Sequence, residues 1–196
     1  MVAGPRYPHG VRIVVSGTHA SGKSTLISDF AVRHPEFTVL PDPFELLDES
    51  GDMPSAALFA SQLRIAADRL TTEPVDEMLI AERGPLDFLA YLLAQADLAG
   101  RPLDDAFLER ATARTAEALR AVDLLVVLPL TTGDPIRVGA DEHLELRDAT
   151  NDVLLDLLDD PDIIDDDLIV AEIAGAPAER LATLEALVGG GARRAP

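Results

Sequence analysis

The sequence contains no cysteine and a single lysine. Without cysteine, disulfides and thiolate metal sites are excluded. No run approaches the ~18 consecutive apolar residues needed to cross a membrane. The first residues, MVAGPRYPHG, also lack the apolar stretch of a signal peptide. A cytoplasmic protein with no membrane partner is therefore expected. Positive charge is scarce: 16 basic residues face 35 acidic ones, for a formal net charge of -19. A chain so acidic is repelled by phosphate backbones, which argues against nucleic acid as a partner. Small anionic ligands are not excluded, because local groups decide those. Replacement of lysine by arginine is a common habit of genome composition. That habit does not explain where the surviving lysine, Lys23, is kept.

Lys23 lies in GTHASGKST, residues 17 to 25, directly behind the apolar run VRIVVS. Gly17, Gly22, Lys23 and Ser24 fit G-x-x-x-x-G-K-[ST], the phosphate-binding loop. A phosphate chain needs many hydrogen-bond donors and few bulky side chains. Gly17 and Gly22 let the backbone wrap closely, so that its N–H groups and the following helix N-terminus face the anion. On this reading Gly17, Thr18, His19, Ala20, Ser21, Gly22, Lys23, Ser24 and Thr25 form an ATP site. Lys23 reaches the β- and γ-phosphates, and the Ser24 hydroxyl ligates Mg²⁺. His19 contributes backbone rather than ring.

The rest of the chain alternates short apolar strands with helices. Strands are predicted at 11–16, 37–40, 77–81, 123–130 and 168–173. Helices are predicted from Lys23, over 55–70, from Pro85, over 103–121, over 148–160 and over 177–188. Arg12 is the one charge in the first strand. The pattern predicts one α/β domain, a three-layer P-loop NTPase fold whose five-stranded parallel sheet is covered by helices on both faces. Residues 1–10 read as an N-terminal extension, 131–147 as a polar segment rich in breakers, and 189–196 as a disordered tail. Ligands of such sheets bind beyond the carboxyl ends of the strands. The phosphate loop, PDPFE, ERGPLD and the 131–147 segment all follow strands and should converge there.

Two classes of phosphate-loop protein are excluded. GTPase switches read guanine with Asn/Thr-Lys-x-Asp, which the sole lysine, already used, cannot supply. AAA+ motors carry four apolar residues ending in Asp-Glu, whereas VDLLVVLPL ends in proline and leucine.

At VLPDPFELL and AERGPLDFLAYLL the chain resembles the P-loop kinases of nucleosides and nucleotides. That group includes deoxynucleoside kinases, thymidylate kinases and nicotinamide riboside kinase-like AAA-domain proteins. The resemblance covers most of residues 11–188 and implies a kinase domain over that span, with 131–147 as its lid. Deoxynucleoside kinases carry Glu-Pro after the second strand, and its carboxylate acts as base on the acceptor hydroxyl. Asp42-Pro43 stands in the matching place, one methylene shorter, with Glu45 on the same loop. An aspartate between Pro41 and Pro43 also reads as a turn residue that caps backbone N–H groups.

Glu82-Arg83-Gly84 looks like the family's Glu-Arg-Ser. The resemblance gives Arg83 the transferring phosphoryl oxygens, and gives Glu82 either Mg²⁺ through water or the orientation of Arg83. Adjacent glutamate and arginine are also an ordinary surface pair. Gln62 and Arg69 lie two helical turns apart, and the family uses a glutamine and an arginine at such positions to recognise the acceptor base. Exposed helices hold many such residues. Asp87 is a further acceptor-side candidate. In the lid, Arg137 and Arg147 are the cations for the γ-phosphate, and His143 reads as a surface residue. AGAP (174–177) stands where adenine rests in these kinases. The implied activity is transfer of the ATP γ-phosphoryl group to a hydroxyl of a nucleoside-like small molecule, with Mg²⁺, in a chain that could form a homodimer. The alternatives are a nucleotide kinase, a kinase of a non-nucleoside alcohol, or a regulatory module that binds ATP and hydrolyses it slowly.

Overall fold

Ile13, Val14 and Val15 are three consecutive residues with no accessible surface. Successive side chains of a strand point to opposite faces, so a run buried throughout needs cover on both sides. The computed structural model, which describes residues 10–46, 55–72, 74, 77–130 and 144–191, supplies that cover. These residues form β1 (Arg12–Ser16), β2 (Thr38–Leu40), β3 (Leu79–Glu82), β4 (Leu124–Val127) and β5 (Ile169–Glu172). The strands make one sheet in the order β2-β3-β1-β4-β5. Every pairing is parallel, and Val14 stands opposite Ala81 on one side and Leu125 on the other.

The helices are α1 (Lys23–Arg33), α2 (Ala56–Thr72), α3 (Pro85–Leu98), α4 (Asp105–Leu119), α5 (Leu144–Leu157) and α6 (Pro177–Gly191). Alternation sorts the sheet residues into two cores. Val14, Leu79, Ala81, Leu125 and Val127 pack with Phe59, Leu63 and Leu70 of α2, with α3, and with Leu154 of α5. Ile13, Val15, Ile80, Leu124 and Val126 pack with Leu26, Ile27 and Phe30 of α1 and with Leu181, Leu184 and Val188 of α6. Three layers result, as expected. In α3 the run from Pro85 to Leu92 is buried throughout, because the helix is enclosed by α2, α4, α5 and the sheet.

Arg12 also finds its reason. Its buried guanidinium donates to the carbonyls of Leu70, near the end of α2, and of Pro74, the latter at 3.0 Å. Its own N–H donates to Asp123 Oδ2 at 2.8 Å. A cation at a helix C-terminus answers the terminal carbonyls and the negative end of the dipole. This anchor lies at the amino ends of the strands, opposite the loop that follows β1.

Some boundaries differ from expectation. α5 begins at Leu144, four residues before the predicted start, because Leu146 already packs against the core. Arg147 is therefore a helical residue. α6 continues through Gly189 and Gly190 to Gly191, behind the buried Val188. The expectations for residues 1–9, 131–143 (with Arg137 and His143) and 192–196 lie outside the described residues. Among the described residues, no helix is long and apolar enough to cross a membrane.

Candidate functional site

The loop after β1 is shaped by two glycines in conformations that side chains rarely adopt. Gly17 has φ 149°, and a Cβ there would stand 2.6 Å from Ser21 Oγ and 2.8 Å from the Leu128 carbonyl oxygen. Gly22 has φ 93° and ends the loop where α1 begins. Between them the five carbonyls of residues 17 to 21 are each held by a cation. Arg83 Nη1 donates to Gly17 O at 3.0 Å, and Lys23 Nζ to Thr18 O at 2.8 Å. Arg147 donates through Nε to His19 O at 2.9 Å and through Nη2 to Ala20 O at 3.4 Å. Arg180 Nη1 donates to Ser21 O at 2.7 Å. These cations come from the β3–α3 junction, α1, α5 and α6. They give each of these carbonyls a charged donor. Ser21 Oγ is buried on this loop with no hydrogen-bond partner among the described residues, as suits a group waiting for a phosphate oxygen.

Lys23 is 4% exposed. Burial, and after it repulsion from Arg83, lowers its pKa from 10.5 to about 7, against the attraction of Asp87, Glu82 and Asp42. An ammonium held this dry gains most from an incoming anion. Beside it, Ser24 Oγ donates to Glu82 Oε1 at 2.7 Å. A hydroxyl and a carboxylate are hard oxygen donors of the kind Mg²⁺ takes when phosphates and water complete its shell. Among the described residues, no group of three or more His, Cys, Asp or Glu side chains stands together as a metal cluster.

Arg83 has φ 63°, a strained value for a residue with a side chain. It is fixed there on every side. Nε donates to Asp42 Oδ2 at 2.7 Å, with the two side chains 3% and 13% exposed. Its guanidinium carbon lies 5.4 Å from the Phe44 ring centroid and 5.3 Å from that of Tyr91. Burial acts to lower its pKa, but Tyr91, Asp42 and Asp87 together more than offset this, so the group stays charged. Asp42 serves a second donor: Oδ1 accepts from Phe44 N–H at 3.0 Å, while its carbonyl accepts from Glu45 N–H at 2.9 Å. The turn role foreseen for Asp42 is thus present, with the ion pair beside it. Glu45 is exposed on the 3₁₀ turn Pro43–Leu46.

Asp87 is buried and accepts three hydrogen bonds. Oδ2 takes the Ser16 hydroxyl at 2.7 Å and Gly84 N–H at 2.9 Å, and Oδ1 takes Gly17 N–H at 2.8 Å. Its position fits a brace between β1, the loop and the start of α3. Gln62 is fully buried in α2, whereas Arg69, on the same helix, donates to the Pro41 carbonyl at 2.7 Å beside Asp42. The wall near Arg83 is aromatic. Phe59 stacks on Tyr91 at 4.9 Å, and Phe44 lies 5.6 Å from Phe88. Tyr91 Oη accepts from His19 N–H at 3.2 Å, which ties the loop tip to α3.

The fold thus gathers Lys23, Ser24, Asp42, Glu82, Arg83 and Asp87 at the carboxyl ends of β1, β2 and β3, with Arg147 on the loop tip. Sequence reasoning missed Ser16, Tyr91 and Arg180. Tyr91 stands one helical turn after Asp87, a spacing that could have marked it. An arginine in an amphipathic helix gives no signal of the kind needed for Arg180.

No protein-family model matches the sequence, and no curated protein matches it. Solved structures do. Thymidylate kinase from Candida albicans superposes with a TM-score of 0.63 at 17% identity, over 93% of this chain and 92% of that one. Deoxyadenosine kinase from M. mycoides with bound dATP gives 0.65 at 15% identity, over 91% and 99%. The same enzyme with its products dCMP and a flexible dCDP gives 0.67 at 14%, over 92% and 99%. The chain therefore has the three-layer α/β fold of P-loop nucleoside and nucleotide kinases, with its parallel sheet in the order β2-β3-β1-β4-β5.

Proposed function

We propose that this chain is an ATP-dependent kinase that transfers the γ-phosphoryl group to a hydroxyl of a nucleoside-like small molecule. One observation carries the reading. The Arg83 guanidinium bonds the carbonyl of Gly17, at the start of the phosphate loop, and the carboxylate of Asp42, at the end of β2. A single fixed cation thereby spans the donor loop and the candidate base.

Binding comes first. The loop from Gly17 to Thr25 takes the triphosphate on its donors, and Lys23 regains its full charge against the β- and γ-oxygens. Ser24 and Glu82 would hold Mg²⁺, which would neutralise charge on the phosphate oxygens. The acceptor hydroxyl lies against Asp42, whose carboxylate takes its proton. The hydroxyl oxygen forms the new bond to the γ-phosphorus as the bond to ADP breaks, and Arg83 stabilises charge on the transferring group. Arg83 needs no reorganisation, because its ion pair and two rings fix it beforehand. Most of the acceleration comes from positioning and electrostatics.

One observation favours a second reading, a nucleotide-binding regulatory module without acceptor turnover. Both oxygens of Asp42 already accept hydrogen bonds, which leaves less of the carboxylate for a proton. The test is ADP release with a panel of nucleosides, nucleoside monophosphates and non-nucleoside alcohols. Acceptor-dependent release with a nucleoside supports the proposal, and a preference for monophosphates or simple alcohols moves the acceptor class. ATP binding with no acceptor-dependent release defeats the kinase reading.

A further inference from the structure

Arg180 has no part in the chemistry above, yet it is one of the least exposed charges among the described residues, at 5%. It stands fourth in α6, where a cation opposes the positive end of the helix dipole. Two backbone carbonyls compensate it: Nε donates to Gly175 O at 2.6 Å, and Nη1 to Ser21 O at 2.7 Å. The first belongs to the turn that follows β5, and the second to the phosphate loop. That turn is held from its other side as well. Gly175 has φ 103°, a Cβ there would meet Glu179 Oε2 at 2.6 Å, and the same oxygen accepts Ala176 N–H at 3.0 Å.

Strand order gives this link a direction. β3 and β2 lie on one side of β1, and the acceptor-side groups Arg83 and Asp42 follow them. β4 and β5 lie on its other side, and ligands of such sheets bind beyond the carboxyl ends of the strands. A triphosphate seated on the loop, with its terminal phosphate toward Arg83, leads its nucleoside end that way.

We infer that Arg180 is a positioning residue for the donor nucleotide: it locks the Gly175–Ala176 turn to the phosphate loop, so the two ends of one ligand meet surfaces at a fixed separation. This inference rests on the kinase reading of the site. A residue that only shaped the loop would affect every phosphate ligand alike. A residue that locks turn to loop matters most for a ligand that reaches both.

The test compares the full chain with R180M and R180K. Dissociation constants are measured for a nonhydrolysable ATP analogue and for inorganic tripolyphosphate, alongside the ligand-free melting temperature. R180M should weaken the ATP analogue by about tenfold or more, the effect of one or two lost charge-assisted hydrogen bonds on a preorganised site. Tripolyphosphate should weaken by no more than about threefold by the same reasoning. Lysine can satisfy one carbonyl but not both, so R180K should show the same selective loss at smaller size, and it carries the test should R180M not fold. Equal weakening of both ligands overturns the inference, as does a lowered melting temperature with both affinities unchanged. Failure of the unsubstituted chain to bind either ligand overturns the nucleotide-site reading itself, and this inference with it.

Discussion

Removal of the Lys23 ammonium should make the ligand-free protein more stable while ending the proposed ATP turnover. Burial first, and then repulsion by Arg83, brings the folded-state pKa from 10.5 to about 7. The lowered value fixes the sign. Between about pH 7 and 10.5 the unfolded chain holds a proton that the folded chain has released, so stability rises with pH across that window. Below about pH 7 both states are protonated, and the burial penalty is present in full. At about 1.36 kcal/mol per pH unit, the penalty is on the order of 5 kcal/mol. Lys23→Met keeps the length and removes the charge, but it also loses the 2.8 Å bond to the Thr18 carbonyl. Such charged hydrogen bonds contribute about 1.5–3 kcal/mol. The balance at pH 6.5 is a gain of about 2–3 kcal/mol, or roughly 5–10 °C in Tm for a chain of this size. At pH 9.5 most of the penalty is already relieved in the parent protein, and the advantage should vanish or reverse. Melting curves of both proteins without nucleotide, at the two pH values, decide the matter. An equal fall in Tm at both would refute the reasoning, because it would mean that the ammonium stabilises the empty loop. The same linkage predicts that triphosphate binding above pH 7 draws a proton from solution, read as a binding enthalpy that depends on the buffer.

Asp87→Asn leaves one carbonyl oxygen to serve the Ser16 hydroxyl, Gly17 N–H and Gly84 N–H. At least one buried donor then faces the new amino group, so urea denaturation should show a loss of about 2–4 kcal/mol; stability like that of the parent would contradict the brace. Asp42→Asn must fail either Phe44 N–H or Arg83 Nε. If Asp42 is also the base, kcat should drop by about 10²–10⁴ in protein still folded at the assay temperature, with ATP affinity nearly unchanged. Activity within about threefold would confine Asp42 to the turn and the ion pair. Gly17→Ala sets a Cβ 2.6 Å from Ser21 Oγ and 2.8 Å from the Leu128 carbonyl. It should abolish detectable ATP-analogue binding in calorimetry, whereas intact affinity would show that the loop has another shape.

Much of the frame is legible in the sequence because its signals are local. Val14 and its neighbours announce a doubly covered strand by being apolar without alternation. Gly17, Gly22 and Lys23 announce the loop by spacing, and Pro85 marks the start of α3. The site is legible wherever a residue ends or closely follows a strand, as Asp42, Glu82 and Arg83 do, since the topology brings strand ends together. Residues whose partners lie far along the chain are not. Arg12 looks like an error in a buried strand until the end of α2, 58 residues away, comes to meet it. Arg180 reaches back 159 residues to Ser21. Asp87 lies between these cases. Its place two residues after Pro85 matches a helix-capping carboxylate, which could have separated it from the acceptor-side candidates.

The five loop carbonyls held by side chains from the β3–α3 junction, α1, α5 and α6 make the loop a summary of distant parts of the fold. Fraying at the first turn of α5 or α6 would release one of its fastenings before any strand separated. Linkage is reciprocal, so a nucleotide that selects the fastened loop must equally suppress fraying in those helices. Ligand-dependent protection from hydrogen exchange should therefore extend into α5 and α6, far beyond the amides that touch phosphate. Occupancy of a nine-residue loop would be readable as quieter motion across both faces of the sheet.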